Sequence, residues 1–112
     1  MQDVLNFIDG RHAAAASGEW LDDVDPATGG TWARVASSDA RDVDRAVAAA
    51  GRAFPAWSRT PAPERSRVLR RLARLIERDL ASLARAEAID SGKPLAVART
   101  VDIPRAVQKV RK

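Results

Sequence analysis

The chain has no cysteine, no tyrosine and a single histidine, and its aromatic residues are limited to three tryptophans and two phenylalanines. Without cysteine, these residues can hold no disulfide scaffold, no thiolate metal site and no thiol nucleophile. His12, in the context Gly10-Arg11-His12-Ala13, has no second histidine to work with and reads as an exposed loop residue rather than a base or ligand. No apolar run approaches the roughly 20 residues of a membrane span. The start, Met1-Gln2-Asp3-Val4, has neither the basic n-region nor the apolar h-region of a signal peptide. The expectation is therefore a cytoplasmic protein with no membrane partner. A G-x-G-x-x-G phosphate loop is also missing, since neither Gly29-Gly30 nor Gly92 forms one.

What is present is alanine. The hydrophobic fraction is 46%, but alanine supplies much of it, so helix content should be high and buried area small. A core this lean suits elements that pack on a larger body. The net charge is +4 and the pI about 10.6. The arginines are interleaved with acids instead of gathered into a run, so no nucleic-acid partner is expected.

Two regimes meet near Ser37-Ser38, which divides the chain into strands and a hairpin over 1–37 and a helical part over 38–112. Leu5 to Ile8 is a short strand ended by the turn pair Asp9-Gly10, with Gly10 supplying a positive φ. His12 to Ser17 has no period and reads as a loop. Glu19–Val24 and Thr31–Ala36 flank a Pro- and Gly-containing turn and predict a hairpin. Asp39 is placed to cap a first helix, with Asp42 three residues on. Val43, Ala46, Val47, Ala50 and Phe54 share one face of that helix, and Pro55 is expected to stop it, with Trp57 folding back over its end. Pro61-Ala62-Pro63-Glu64 opens a second helix. Its apolar stripe of Val68, Leu69, Leu72, Leu75 and Ile76 runs beside a basic stripe of Arg67, Arg71, Arg74 and Arg78. Asp79 is a candidate cap for a third helix over Leu80–Asp90, and Gly92 suits the left-handed position just past its end. A fourth helix should follow Pro94 toward Val110, kinked by Pro104.

These segments carry a resemblance. Asn6-Phe7-Ile8-Asp9-Gly10, then Asp25-Pro26-Ala27-Thr28-Gly29, then the helix Asp42–Ala50 ending in Phe54-Pro55-Ala56-Trp57, then Glu64–Leu69, then Asp90-Ser91-Gly92-Lys93-Pro94 occur in this order. The series resembles the amino-terminal region of NAD(P)-dependent aldehyde dehydrogenases. The segment Leu95–Gln108 is similar to the branch that oxidises 2-aminomuconate or 2-hydroxymuconate semialdehyde. The fold implied is the α/β aldehyde dehydrogenase-like fold, of which this chain holds an N-terminal β-hairpin region followed by mostly α-helices. His12 stands where many relatives have an aromatic residue. After Gln108 the family continues with an aromatic-rich helix, whereas Lys109-Val110-Arg111-Lys112 follows here. A fragment, a disrupted reading frame and a misassigned end all stay open.

The resemblance implies oxidation of an aldehyde to a carboxylic acid with NAD or NADP, and a homo-oligomer for the full-length enzymes. In that chemistry a cysteine thiolate attacks the carbonyl, hydride passes to the nicotinamide and a glutamate-activated water releases the acid. No residue of 1–112 takes any catalytic or cofactor-binding role, so the chain is expected to be inactive alone. The resemblance also implies a structural monovalent cation, K+ or Na+, on the carbonyls of Asp23 and Val24 and on Asp90, a hard ion with oxygen ligands. Against it stands Asp90 as a turn residue or as a partner of Lys93. Two rival functions have their own features: a non-catalytic helical protein-interaction module using the apolar faces, and a basic nucleic-acid binder using Arg67, Arg71, Arg74 and Arg78.

Overall fold

Turn chemistry decides the first third of the computed structural model, which describes residues Met1–Lys112. Strands β1 (Gln2–Val4), β2 (Asn6–Ile8), β3 (Arg11–Ala13), β4 (Trp20–Val24) and β5 (Thr31–Ala36) form two sheets, ordered β1-β5-β4 and β2-β3. The expected hairpin is β4 antiparallel to β5, with an irregularity in pairing at Asp23/Val24. β1 joins β5 in parallel, Asp3 opposite Arg34. Nothing in the alternation of so short a segment signalled β1.

His12–Ser17 is not wholly a loop, because Arg11–Ala13 pairs with Asn6–Ile8 across the Asp9-Gly10 turn. Both turn residues have positive φ, 56° at Asp9 and 76° at Gly10. That geometry matches the right-handed twist of two strands and closes the hairpin in two residues. His12 is exposed, as expected, and its ring meets Phe7 edge-on at 5.1 Å across the pair.

Helices α1 (Ala40–Arg59), α2 (Ala62–Arg78), α3 (Leu80–Ser91), the single turn α4 (Leu95–Val97) and α5 (Ile103–Arg111) follow. A π-helical turn over Ala98–Asp102 separates α4 from α5. Pro55 does not stop α1 but lies within it, and Trp57 continues the helix. The ring must displace the turn before it, at about 3 kcal/mol in a packed helix. Here the residue four back is Gly51, with open space where a side chain would stand, so that turn is free to give. Pro104 does not kink the last helix directly either. The Ile103 amide reaches back five residues to the Ala98 carbonyl, and this widened turn delivers Pro104 to the first turn of α5. There a missing amide has no obligatory partner.

The structure consists of two compact units, one of Met1–Val24 with Gly29–Arg59, the other of Asp25–Thr28 with Thr60–Lys112. In the first, α1 packs chiefly on β2; in the second, α2 packs chiefly on α5 and α3 on the π-helical turn. The buried apolar residues are Ala15, Ala33, Ala36, Ala73, Ala84, Ala98 and Val107, and no large side chain is fully buried. The stripe Val68, Leu69, Leu72 and Leu75 on α2 is exposed. Alanine lets backbones approach closely but removes little apolar area from water.

The purified 112-residue chain should therefore unfold in a broad thermal transition well below roughly 60 °C, because backbone ordering costs about 1–2 kcal/mol per residue against that small burial. Calorimetry showing a sharp two-state transition above that temperature would contradict it.

Candidate functional site

The second unit brings together two of the motifs singled out in the sequence. Gly92 ends α3 with φ 77° and ψ 5°, its amide bonded to the Ala88 carbonyl. A Cβ built on Gly92 would lie 2.8 Å from Cγ of Pro26. Glycine is thus required twice over at this position, by backbone conformation and by the ring of a proline from the Asp25–Thr28 turn. The turn itself is set by Asp25, whose Oδ1 accepts the Ala27 amide at 2.8 Å. Asp25, Ala27, Arg85, Ala88, Ile89 and Leu95 line an open depression of about 340 Å³ beside it.

Lys93, the residue after the glycine, donates to Asp102 Oδ2 at 2.6 Å, with Glu87 Oε1 at 3.8 Å. The hydrogen bond to Asp102 raises the lysine pKa above its ordinary value, against a smaller opposing effect of desolvation. One ammonium thereby fastens the turn to the π-helical segment. Sequence reasoning linked Lys93 to Asp90 and did not find Asp102, since a pair across an irregular turn has no fixed sequence spacing. Asp90 lies exposed in the last turn of α3. Asp23 and Val24, in the other unit, close β4 at its pairing irregularity. Along α2, Glu64, Arg67, Val68, Arg71 and Arg74 line an open groove of about 460 Å³. Arg78 departs from this row by pairing with Asp79 at 2.9 and 3.0 Å. That pairing also corrects the expected cap, since Asp79 offers α3 no side-chain bond. Its amide and carbonyl continue the helical bonding from Leu75 to Leu83 instead.

In the first unit the strand-to-helix junction is an acidic cap. Asp39 Oδ1 accepts the Arg41 amide at 2.9 Å, and Asp42 Oδ2 accepts the Asp39 amide at 3.0 Å. Asp42 thus makes the return half of the capping box read from the Asp39/Asp42 spacing, while the Asp39 carboxylate takes the Arg41 amide and the Asp42 amide goes to the Asp39 carbonyl. Asp42 does more than the spacing told: it is buried, accepts the Ala16 amide at 2.9 Å and pairs with Arg45. The Asp39 amide bond is the largest influence lowering its pKa, ahead of the opposing desolvation and the assistance of Ala16 and Arg45.

A dinucleotide cradle needs a glycine turn between a strand and a helix, with free amides facing the pyrophosphate. The strand-to-helix junction Ser37-Ser38-Asp39 between β5 and α1 has no glycine, and the amides of Asp39 and Arg41 there are taken by carboxylates. That junction therefore lacks the glycine turn of a dinucleotide loop.

The model of the aldehyde dehydrogenase family matches residues 12–112. The chain belongs to that family. It is 48% identical to human 2-aminomuconic semialdehyde dehydrogenase over 95% of its length, covering 21% of that relative. To acetaldehyde dehydrogenase 2 of Cupriavidus necator it is 42% identical over 98% of its length, covering 22%. Among solved structures, PnpE in complex with nicotinamide adenine dinucleotide superposes with a TM-score of 0.93 at 45% identity, over 99% of this chain and 23% of that one. The chain thus spans about a fifth of the curated relatives it matches. The likeness includes the fold, and in this aldehyde dehydrogenase region the expected β-hairpin and helices are in place.

Two substitutions test these local devices. Gly92→Ala should destabilise the chain by at least the roughly 1–2 kcal/mol of a left-handed L-residue, and Pro26→Ala in that background should return the further loss due to the clash. A deficit that Pro26→Ala leaves unchanged, measured by urea unfolding, would show that the two residues do not meet. Asp42→Asn should change the acid limb of the stability curve. A lowered folded pKa gives stability that is complete above the unfolded carboxylate value and is lost as pH falls through the folded one. The difference in Tm between wild type and Asp42→Asn should accordingly shrink as pH falls below about 4; a constant difference would remove Asp42 from the acid response.

Proposed function

We propose that these residues serve an NAD(P)-dependent aldehyde dehydrogenase that oxidises an aldehyde of the muconate semialdehyde type to a carboxylic acid, and that they serve it as structure, not as catalyst. The observation carrying this reading is the Gly92–Pro26 contact, which joins two motifs of the resemblance, together with 48% identity to a 2-aminomuconic semialdehyde dehydrogenase. The absence of cysteine leaves the thiolate step to residues outside these 112. Dinucleotide binding likewise falls to other residues on this reading, which the carboxylate caps at the β5–α1 junction support. A cytoplasmic location, a homo-oligomeric whole enzyme and a monovalent-cation role for Asp23, Val24 and Asp90 are proposed on the resemblance alone. The rival readings as a free-standing interaction module or a nucleic-acid binder are not favoured by the family match or its relatives.

The test is a chimera. The matching first fifth of the human 2-aminomuconic semialdehyde dehydrogenase is replaced by this chain, and NAD-dependent oxidation of 2-aminomuconic semialdehyde is followed. Activity within about tenfold of the parent is expected, a loss no larger than about 1.4 kcal/mol of transition-state stabilisation. The 112-residue chain by itself should give no turnover and no shift in Tm on addition of NAD. A folded but inactive chimera, or turnover by the isolated chain, would overturn the proposal.

A further inference from the structure

The π-helical turn over Ala98–Asp102 interrupts a run that is otherwise α-helical from Leu95 to Arg111. A π-helical turn inside an α-helix holds one residue more than the α-helical count. The buried positions on either side show what that residue does. Ala98 is fully buried and Val107 is 3% exposed. In an uninterrupted α-helix their separation is about two and a half turns, which sets them on opposite faces. With one residue absorbed by the widened turn they lie only about 80° apart. Neighbouring helices can then cover both: the turn packs on α3, and α5 chiefly on α2. Two groups hold the turn wide. Pro104 has no amide for the Thr100 carbonyl, and its ring crowds that carbonyl in an α-helical continuation. The Ile103 amide reaches the Ala98 carbonyl instead. Lys93 donates at 2.6 Å to Asp102, the last residue of the turn, and both side chains are half-buried. The Thr100 hydroxyl adds a bond to the Ala96 carbonyl at 2.6 Å, of the kind that bends helices.

We infer that this turn is a register switch, held in its wide state by Pro104 and by the Lys93–Asp102 pair. In its other state the run from Leu95 to Arg111 is a continuous α-helix, with the Ile103 amide on the Arg99 carbonyl. α5 is then rotated by about 100° against α4. Asp102 moves off Lys93, and Val107 is carried out of its buried position. The two states differ by one residue of helical register, so the change is discrete and not a graded bending.

Couplings across hydrogen bonds in the NMR spectrum of the 112-residue chain read the state directly. Wild type should couple the Ile103 amide to the Ala98 carbonyl. In the double variant Pro104→Ala/Lys93→Met the coupling should move to the Arg99 carbonyl, and the Val107 methyl signals should shift with it. A wild-type coupling to Arg99, or one that stays at Ala98 in the double variant, would overturn the inference. In the latter case the packed neighbours, and not these two residues, hold the turn. Deletion supplies a second test. Val101 is 42% exposed, and removing it takes out the extra residue, so an α-helix can follow without rotating α5. With Pro104 in place the deletion should lower Tm by on the order of 10 °C or more, since the proline then lies inside a helix. Deletion combined with Pro104→Ala should recover at least about half of that loss. Equal losses in the two deletion variants would also reject the switch, because Pro104 would then not set the register.

Discussion

The approach of Pro26 to within 2.8 Å of the space a Gly92 side chain would fill is the constraint on which the second unit depends. It requires a residue without a Cβ where α3 ends, and a left-handed backbone that only glycine adopts freely. With the turn so fixed, Lys93 is aimed at Asp102, and Pro94 enters the next helical turn. The π-helical widening then admits Pro104 into α5. Each step follows from the one before because the intervening segments are too short to absorb an error.

A core of alanines and one valine leaves polar groups to specify what packing does not. Asp42 holds the amides of Asp39 and Ala16 and the Arg45 side chain together. Arg34 plays a comparable part in the sheet. It makes a two-pronged pair with Asp3 at 2.6 and 3.0 Å and lies 4.2 Å from the Trp20 ring centroid. That one side chain spans all three strands of the sheet. Such devices specify register and direction more than they supply free energy, since exposed ion pairs contribute little.

The same economy accounts for the exposed faces. The human relative is several times longer than this chain, which covers 21% of it. The apolar stripes on α1 and α2 stay exposed, as the proposed structural role within a longer enzyme would have them. The cysteine thiol that the family resemblance implies for the first chemical step has no counterpart in this sequence, which holds no cysteine.

By itself the sequence determined whatever depends on neighbouring residues. The Asp9-Gly10 turn, the Asp39/Asp42 box, the β4–β5 hairpin and the left-handed end of α3 were all legible, because turn and cap chemistry act within a few positions. The family was legible too, through motifs kept in order. Tertiary structure decided the rest. β1 became a strand only because β5 offered a parallel edge, and Arg11–Ala13 only because β2 lay across the turn. Pro55 stayed inside α1 because nothing packs against Gly51, and Pro104 was absorbed by a π-helical turn, outcomes that the rule for a helix-breaking proline cannot foresee. Lys93 chose Asp102 across an irregular segment, and Pro26 met Gly92 across most of the chain. Contacts of that kind depend on where backbones meet in space, which local propensity does not encode.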